Sequence, residues 1–209
     1  MADSEVAICN VALARIGHTQ FIETLDDAPT EAEVCRRLYP ACRDEVLELI
    51  DWPFARRRYK PAQIVATTLD LGAVPGGWSY AFALPADGIP NGIRKIESGL
   101  HVERTDQAVP YDVEYDNKTQ QNILLIDVAT PEVVYTMRLT DTKRFAPTFD
   151  SAVAWRLAID LVLPLRKDVA VGVRVMAAYS QAIGTALALA QAGVFIGVEP
   201  KPQHLAARG

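Results

Sequence analysis

Residues 111–139 read YDVEYDNKTQQNILLIDVATPEVVYTMRL. Apolar residues come here in short runs and partial alternations, Tyr111 to Tyr115, Ile123 to Ile126 and Val133 to Leu139, separated by turn formers such as Asn117 and Pro131. That punctuation is typical of strands. Within the first run Tyr111, Val113 and Tyr115 share one face, because side chains alternate along a strand. Upstream, Ser79 to Leu84, Ile93 to Ile96 and Leu100 to Arg104 repeat the pattern. The middle of the chain, about 72–141, is therefore a β-region.

On either side the period changes to that of helices. From Asp3 to Ile16 the apolar positions Val6, Cys9, Leu13 and Ile16 step by three and four, and Gly17 stands where a left-handed cap would fall. Thr30 and Glu33 have capping-box spacing and open a second helix with the stripe Cys35, Leu38, Cys42, Val46 and Leu49. Pro40 lies inside that stripe, which predicts a kink or short break near Tyr39. After Thr148, Val153, Leu157 and Leu161 form a helix ending near Pro164. Asp168 caps a last long helix with the stripe Gly172, Met176, Tyr179, Ile183, Ala186 and Ala190, before Gly193. Residues 194–209 carry no periodicity.

The chain has 209 residues, 50% of them hydrophobic, enough for one sizeable core or two small ones. Its formal net charge of −5 and pI near 5.2 give no support to general phosphate affinity. No apolar run approaches the roughly 20 residues of a bilayer span, and the N-terminus lacks the pattern of a signal peptide. Cys35 and Cys42 on one helix would lie about 10 Å apart, beyond disulfide reach. With Cys9 they read as packed, reduced thiols.

Enzymes need converging reactive groups. His18, His101 and His204 are scattered, and no Gly-x-Ser-x-Gly elbow, phosphate-cradling glycine loop or Cys-x-x-Cys pair occurs. Asp26, Asp27, Glu31 and Glu33 flank a helix start, where the macrodipole favours negative charge. Asn117-Lys118-Thr119 reads as a polar turn. No catalysis, cofactor or metal is expected. Arg56, Arg57 and Arg58 form the densest basic cluster; in an acidic chain they read as ion-pair partners of neighbouring elements or subunits, with phosphate contact as the alternative. Trp52 and Phe54 read as core anchors.

The order Asn10-Val11-Ala12-Leu13-Ala14-Arg15-Ile16-Gly17, Thr30-Glu31-Ala32, Cys35, Tyr39-Pro40, Arg43-Asp44-Glu45-Val46-Leu47 and Trp52-Pro53-Phe54-Ala55 resembles the tail tubular protein A family of short-tailed bacteriophages. Trp78-Ser79-Tyr80-Ala81-Phe82, Leu84-Pro85-Ala86-Asp87 and Ala152-Val153-Ala154-Trp155-Arg156-Leu157-Ala158 extend the resemblance over nearly the whole chain. It implies an α+β fold, in which a helical bundle from both ends of the chain carries an inserted antiparallel β-rich domain. The expected divisions are 1–71 with 142–193, 72–141, and an extended tail at 194–209.

The function so implied is a structural virion protein, a head-to-tail adaptor ring that connects the portal protein to the tail nozzle and lets DNA pass. Implied partners are the portal, a nozzle of the tail tubular protein B type, tail fibres, and copies of the chain itself in a ring expected to be dodecameric. Such a protein is made in the host bacterial cytoplasm and resides in the virion tail, with no membrane and no sequence-specific nucleic acid. Phe195, Ile196, Pro200, Pro202 and Leu205 are the expected portal-docking residues of the tail. Two other classes remain: a monomeric α+β ligand-binding or regulatory domain, and a nucleic-acid binder using Arg56 to Arg58.

Overall fold

A computed structural model describes residues 4–26, 30–98 and 108–192. The fold is α+β, with four α-helices and two antiparallel sheets among these residues. The chain divides into two compact units, one drawn from both ends (1–39 and 146 onward) and one from the middle (40–145).

The helical unit begins with α1 (Glu5–Arg15), whose first free amides are met by Ser4: its hydroxyl accepts the Ala7 N–H at 3.1 Å. Gly17 takes φ +75° after the last turn, and His18 and Gly17 return their N–H groups to Leu13 and Ala14. This double closure satisfies carbonyls the helix leaves open. The Asn10 amide then pairs with both the N–H and the carbonyl of Ile22, each at 2.9 Å, holding the following loop against α1. The unit also takes the first half of α2 (Thr30–Leu49).

Helix α3 (Pro147–Leu161) supplies the buried centre, with Phe149, Ala152, Val153, Leu157, Ala158 and Leu161 withdrawn from solvent. Helices α1 and α4 (Val169–Ala192) both pack on it. Arg15 joins α1 to α3: its guanidinium donates to the Ser151 carbonyl and hydroxyl at 2.8 and 2.9 Å and lies 4.0 Å from the centre of the Trp155 ring. Burial pushes its pKa down to about 10, still charged at neutral pH. A π-turn (Val162–Arg166) containing Pro164 ends α3, and Lys167 at φ +53° redirects the chain into α4.

The middle unit is a sandwich of two sheets. One has the order β1 (Arg56–Tyr59), β7 (Pro131–Met137), β4 (Gly88–Ser98); the other runs β2 (Gln63–Ile64), β3 (Tyr80–Ala83), β6 (Gln121–Ile126), β5 (Tyr111–Asp116). Phe82, Leu124 and Ile126 meet Ile96, Val133 and Tyr135 between the sheets. The opposite face of the second sheet, Ala81, Ile123 and Leu125, is covered by Leu69 with Val74 and Trp78. Strand β6 is thus buried on both sides over Ile123–Ile126.

A β-bulge ties the second half of α2 to the first sheet. Ile93 opposes Tyr135 while Lys95 opposes Val134, so Arg94 is the extra residue. Bulges re-aim side chains. The Arg94 guanidinium donates through Nη2 to the carbonyls of Leu47 and Glu48 at 2.9 and 2.8 Å, and through Nε to the Thr136 hydroxyl at 2.8 Å. Helix α2 has no basic residue in its own last turn, so Arg94 supplies the positive charge its C-terminus favours. Gly92 beside the bulge has no room for more: a Cβ there would lie 2.7 and 2.8 Å from Ile89 atoms.

These contacts move the division expected from sequence. It falls at 39/40 and 145/146 rather than 71/72 and 141/142, because Arg56–Tyr59 is a strand along β7 and because α2 is tied to the sandwich by Arg94 and by Trp52, whose indole N–H donates to the Val46 carbonyl at 2.8 Å. Of the kink or short break expected near Tyr39, no break occurs: helix α2 runs through Pro40. Cys35 and Tyr39 before Pro40, and Cys42, Val46 and Leu47 after it, are all buried. The candidate strand Leu100 to Arg104 lies outside the described residues.

Replacing Arg94 by Met should strip the α2 carbonyls of their partner and cost about 2 kcal/mol. In thermal unfolding that appears as a loss of roughly 4–8 °C in Tm, and an unchanged Tm would show that water caps the helix equally well.

Candidate interaction surfaces

Helix α4 is apolar on nearly every side, with Arg174 its one charged residue. Among the described residues one seam is covered: Val171, Val175 and Ala186 are buried. On the outside, Val169 is 82% exposed, Val173 64% and Met176 57%, with Leu187 and Leu189 also open to solvent. Positions 169, 173, 176, 180, 184 and 187 recur at steps of three and four, so they form one stripe along the helix. The hydroxyls of Ser180 and Thr185 turn back to the carbonyls of Met176 and Gln181 at 3.1 and 3.0 Å. Gly184 lies on this outer stripe, and a Cβ there would touch nothing.

The stripe read from sequence holds at Ala186, which is buried, and at the half-buried Gly172, Tyr179, Ile183 and Ala190, but Met176 faces outward, and Val171 and Val175 take the inward places near the start of the helix. Val169–Ala190 is long and apolar enough, by length and composition, to cross a bilayer, at a mean hydropathy of 1.2, and 11% of that window is buried. The open surface continues past the start of α4 into a groove of about 510 Å³ lined by Ile159, Val162, Leu163, Val169 and Met176. Leu163 itself is 77% exposed.

The sandwich presents a second kind of surface. Among the described residues strands β1 and β5 are the outermost strands of their sheets on one side each, and Tyr111, Val113 and Tyr115 on β5 are all exposed. Asp116 fixes the end of β5. Its carboxylate accepts the Asp70 N–H at 2.8 Å, and the Thr119 N–H and hydroxyl at 2.7 and 2.6 Å. The polar triplet Asn117-Lys118-Thr119 is the turn these bonds hold; Lys118 Nζ donates to the Thr67 carbonyl at 3.1 Å.

Each residue singled out in the sequence has a definite place. Arg56 grips Asp51 through two bonds at 3.0 and 2.7 Å, and Arg58 reaches Glu97 at 2.6 Å and Glu132 at 3.0 Å. Arg57, on the opposite face of β1, makes no ion pair among the described residues. Trp52 is buried against Phe54, ring centres 5.7 Å apart, and Phe54 meets Phe145. His18 pairs with Glu31 at 2.8 Å, and Asp26 with Arg36 at 3.5 Å. The three thiols are buried and unbridged. The tail residues Phe195, Ile196, Pro200, Pro202 and Leu205, with Asp27, His101 and His204, lie outside the described residues.

An open groove of about 740 Å³ in the sandwich is lined by Leu84, Pro90, Tyr111, Asn122, Tyr135 and Arg138. Two of its polar groups are already engaged: the Tyr135 hydroxyl donates to Asp87 at 2.8 Å, and Arg138 pairs with Asp44 at 2.8 Å. Burial, reinforced by Asp87, pushes Tyr135 up to about 12. Sequence reasoning missed this groove, the exposure of α4 and the edge position of β1; strand order is not written in local pattern. No family model and no curated protein matches the chain.

The Thr119 hydroxyl and the Asp70 amide hold the Asp116 carboxyl below its ordinary value of 3.8. A depressed carboxylate contributes stability above the unfolded-state pKa and loses it as pH falls through the folded one. Asp116→Asn should therefore be less stable than the parent at pH 7, with the gap closing as pH is lowered from 4 toward 2 in urea titrations. A gap independent of pH would refute the charge assignment.

Proposed function

We propose that this chain is a non-enzymatic ring subunit, the head-to-tail adaptor of a short-tailed bacteriophage, joining the portal to the nozzle and letting DNA pass. The observation that carries the assembly part of this reading is the outer stripe of α4. Contiguous exposed apolar surface marks an interaction site, and the exposed Val169, Val173, Met176 and Leu187 give α4 such a surface beside its polar positions. Copies of the chain side by side, small positions such as Gly184 permitting close approach, cover it. The resemblance in the sequence supports the identity of the partners: portal above, a nozzle of the tail tubular protein B type below, tail fibres at the rim, and twelve subunits around the channel. In this reading the tail beyond residue 193 docks on the portal through Phe195, Ile196, Pro200, Pro202 and Leu205, and the protein is made in the host cytoplasm and ends in the virion tail.

The same helix raises a second reading, insertion into a bilayer, since its length and composition suffice. Against it stand the seam packed on α3 and the placing of Arg174, Gln181 and Thr185 along the exposed surface.

Native mass measurement at rising concentration, alone and with portal rings, is expected to give cyclic assemblies. Val173→Ser with Met176→Ser should fold with unchanged Tm, both side chains being exposed, yet weaken association at least about tenfold for each side chain. A persistent monomer, or flotation of the wild type with liposomes, would overturn the adaptor reading.

A further inference from the structure

Two strand edges in the sandwich are opposite in charge and matched in pattern. Strand β5 presents Asp112 and Glu114 on one face and Tyr111, Val113 and Tyr115 on the other. Strand β1 presents Arg56 and Arg58 on one face and Arg57 and Tyr59 on the other. Both are exposed nearly throughout, and among the described residues both end their sheets. An edge strand offers its N–H and carbonyl groups to any chain that fits it; on β5 the Val113 N–H donates to the Asp112 carboxylate at 2.8 Å, a bond that pairing exchanges for one to the neighbouring strand.

We propose that neighbouring copies join β5 of one to β1 of the next as an antiparallel pair, with Tyr111 opposite Tyr59, Asp112 opposite Arg58, Val113 opposite Arg57 and Glu114 opposite Arg56. This rests on the self-association reading above and adds a second, separate contact to it. The faces agree. Val113 lies beside Leu124 and Arg57 beside Tyr135, and both of those partners point between the sheets. Joining the strands in this register keeps the inner side of each sheet continuous with the inner side of the next, and brings carboxylates over guanidinium groups on the outer side.

The arginines retain the means. Arg58 meets Glu97 and Glu132 through Nη1 alone, and Arg56 meets Asp51 through Nε and Nη2. A guanidinium carries five donors, so each keeps some for a further carboxylate. Glu114 makes no ion pair among the described residues.

Charge also selects against the symmetric alternatives. Pairing β5 with its own copy in the same facing sets Asp112 against Glu114, and pairing β1 with its own copy sets arginine against arginine; like charges directly opposite destabilise a strand pair. The unlike pairing escapes this. Such a head-to-tail contact cannot stop at two subunits: repeated, it closes a ring or continues as a filament.

The test uses two single variants, Val113→Cys and Arg57→Cys, in the full chain. Directly opposed residues sit about 4.5–5.5 Å apart between Cα atoms, within disulfide range, and the three native thiols are buried. Mixed one to one and mildly oxidised at a concentration where native mass shows assembly, they should give a two-chain product bridged from 113 to 57, while each alone stays uncrosslinked. As a second measure, Asp112→Lys with Glu114→Lys, both exposed, should weaken assembly by about tenfold without lowering Tm. Absence of the mixed product from assembled protein, or equal crosslinking by Val113→Cys alone, overturns the edge pairing and leaves the α4 contact standing. A protein monomeric at every concentration and with portal present overturns both.

Discussion

Apolar side chains on a helix gain stability by being covered, and among the described residues α4 is covered along one seam. Val171, Val175 and Ala186 account for its packing on α3, while Val169, Val173, Met176 and Leu187 meet solvent. Full burial of a side chain of this size contributes about 1.5–3 kcal/mol, and each of these forgoes the share that stays exposed. Within the isolated chain nothing described recovers that energy. The serine and threonine hydroxyls on the helix fold back onto its own backbone, so they place little demand on water and do not oppose closure against a neighbour. This imbalance is the ground on which we propose a role in assembly.

The sandwich is organised differently, by polar contacts at special backbone positions. Arg94 reaches the end of α2 because a bulge gives β4 one residue more than β7 needs. Asn91, at φ +54°, donates its amide to Glu48 at 2.8 Å in the same neighbourhood. Asp116 performs a comparable task at the far end of β5, drawing two loops onto one carboxylate. Such groups hold one arrangement of the chain because any other leaves a charge or an amide without a partner.

Local signals account for what the sequence revealed. Gly17 after a period of three and four, Thr30 before Glu33, Asp168 before an apolar stretch, and Pro131 between strands each act within a few residues, and α1, α2, α4 and the run β5 to β7 followed from them. The three arginines of β1 carry no alternation and no β-branched residue; their strand exists only because β7, more than seventy positions later, pairs with it. Arg94 as a helix cap is equally remote, set by a bulge that leaves no mark in composition. On α4 Met176 was misplaced: near the start of the helix Val171 and Val175 lead the inward side, and from Tyr179 to Ala190 the stripe read from sequence lies on it. Of the proposed interaction residues, Arg56 to Arg58 were found by charge density, whereas β5 was recognised as a strand but not as an edge.

The arrangement of the helical unit has a bearing on how the nascent chain matures. Arg15 and Ser151 are 136 positions apart, yet they share two hydrogen bonds in one compact body. As the polypeptide leaves the ribosome, α1 must wait until the entire sandwich has been translated before α3 exists to receive it. The sandwich has no such dependence, since everything from Pro40 to Phe145 is contiguous. Synthesis therefore presents the middle of the molecule first, with its order established early, and leaves the first helix unsatisfied for most of translation.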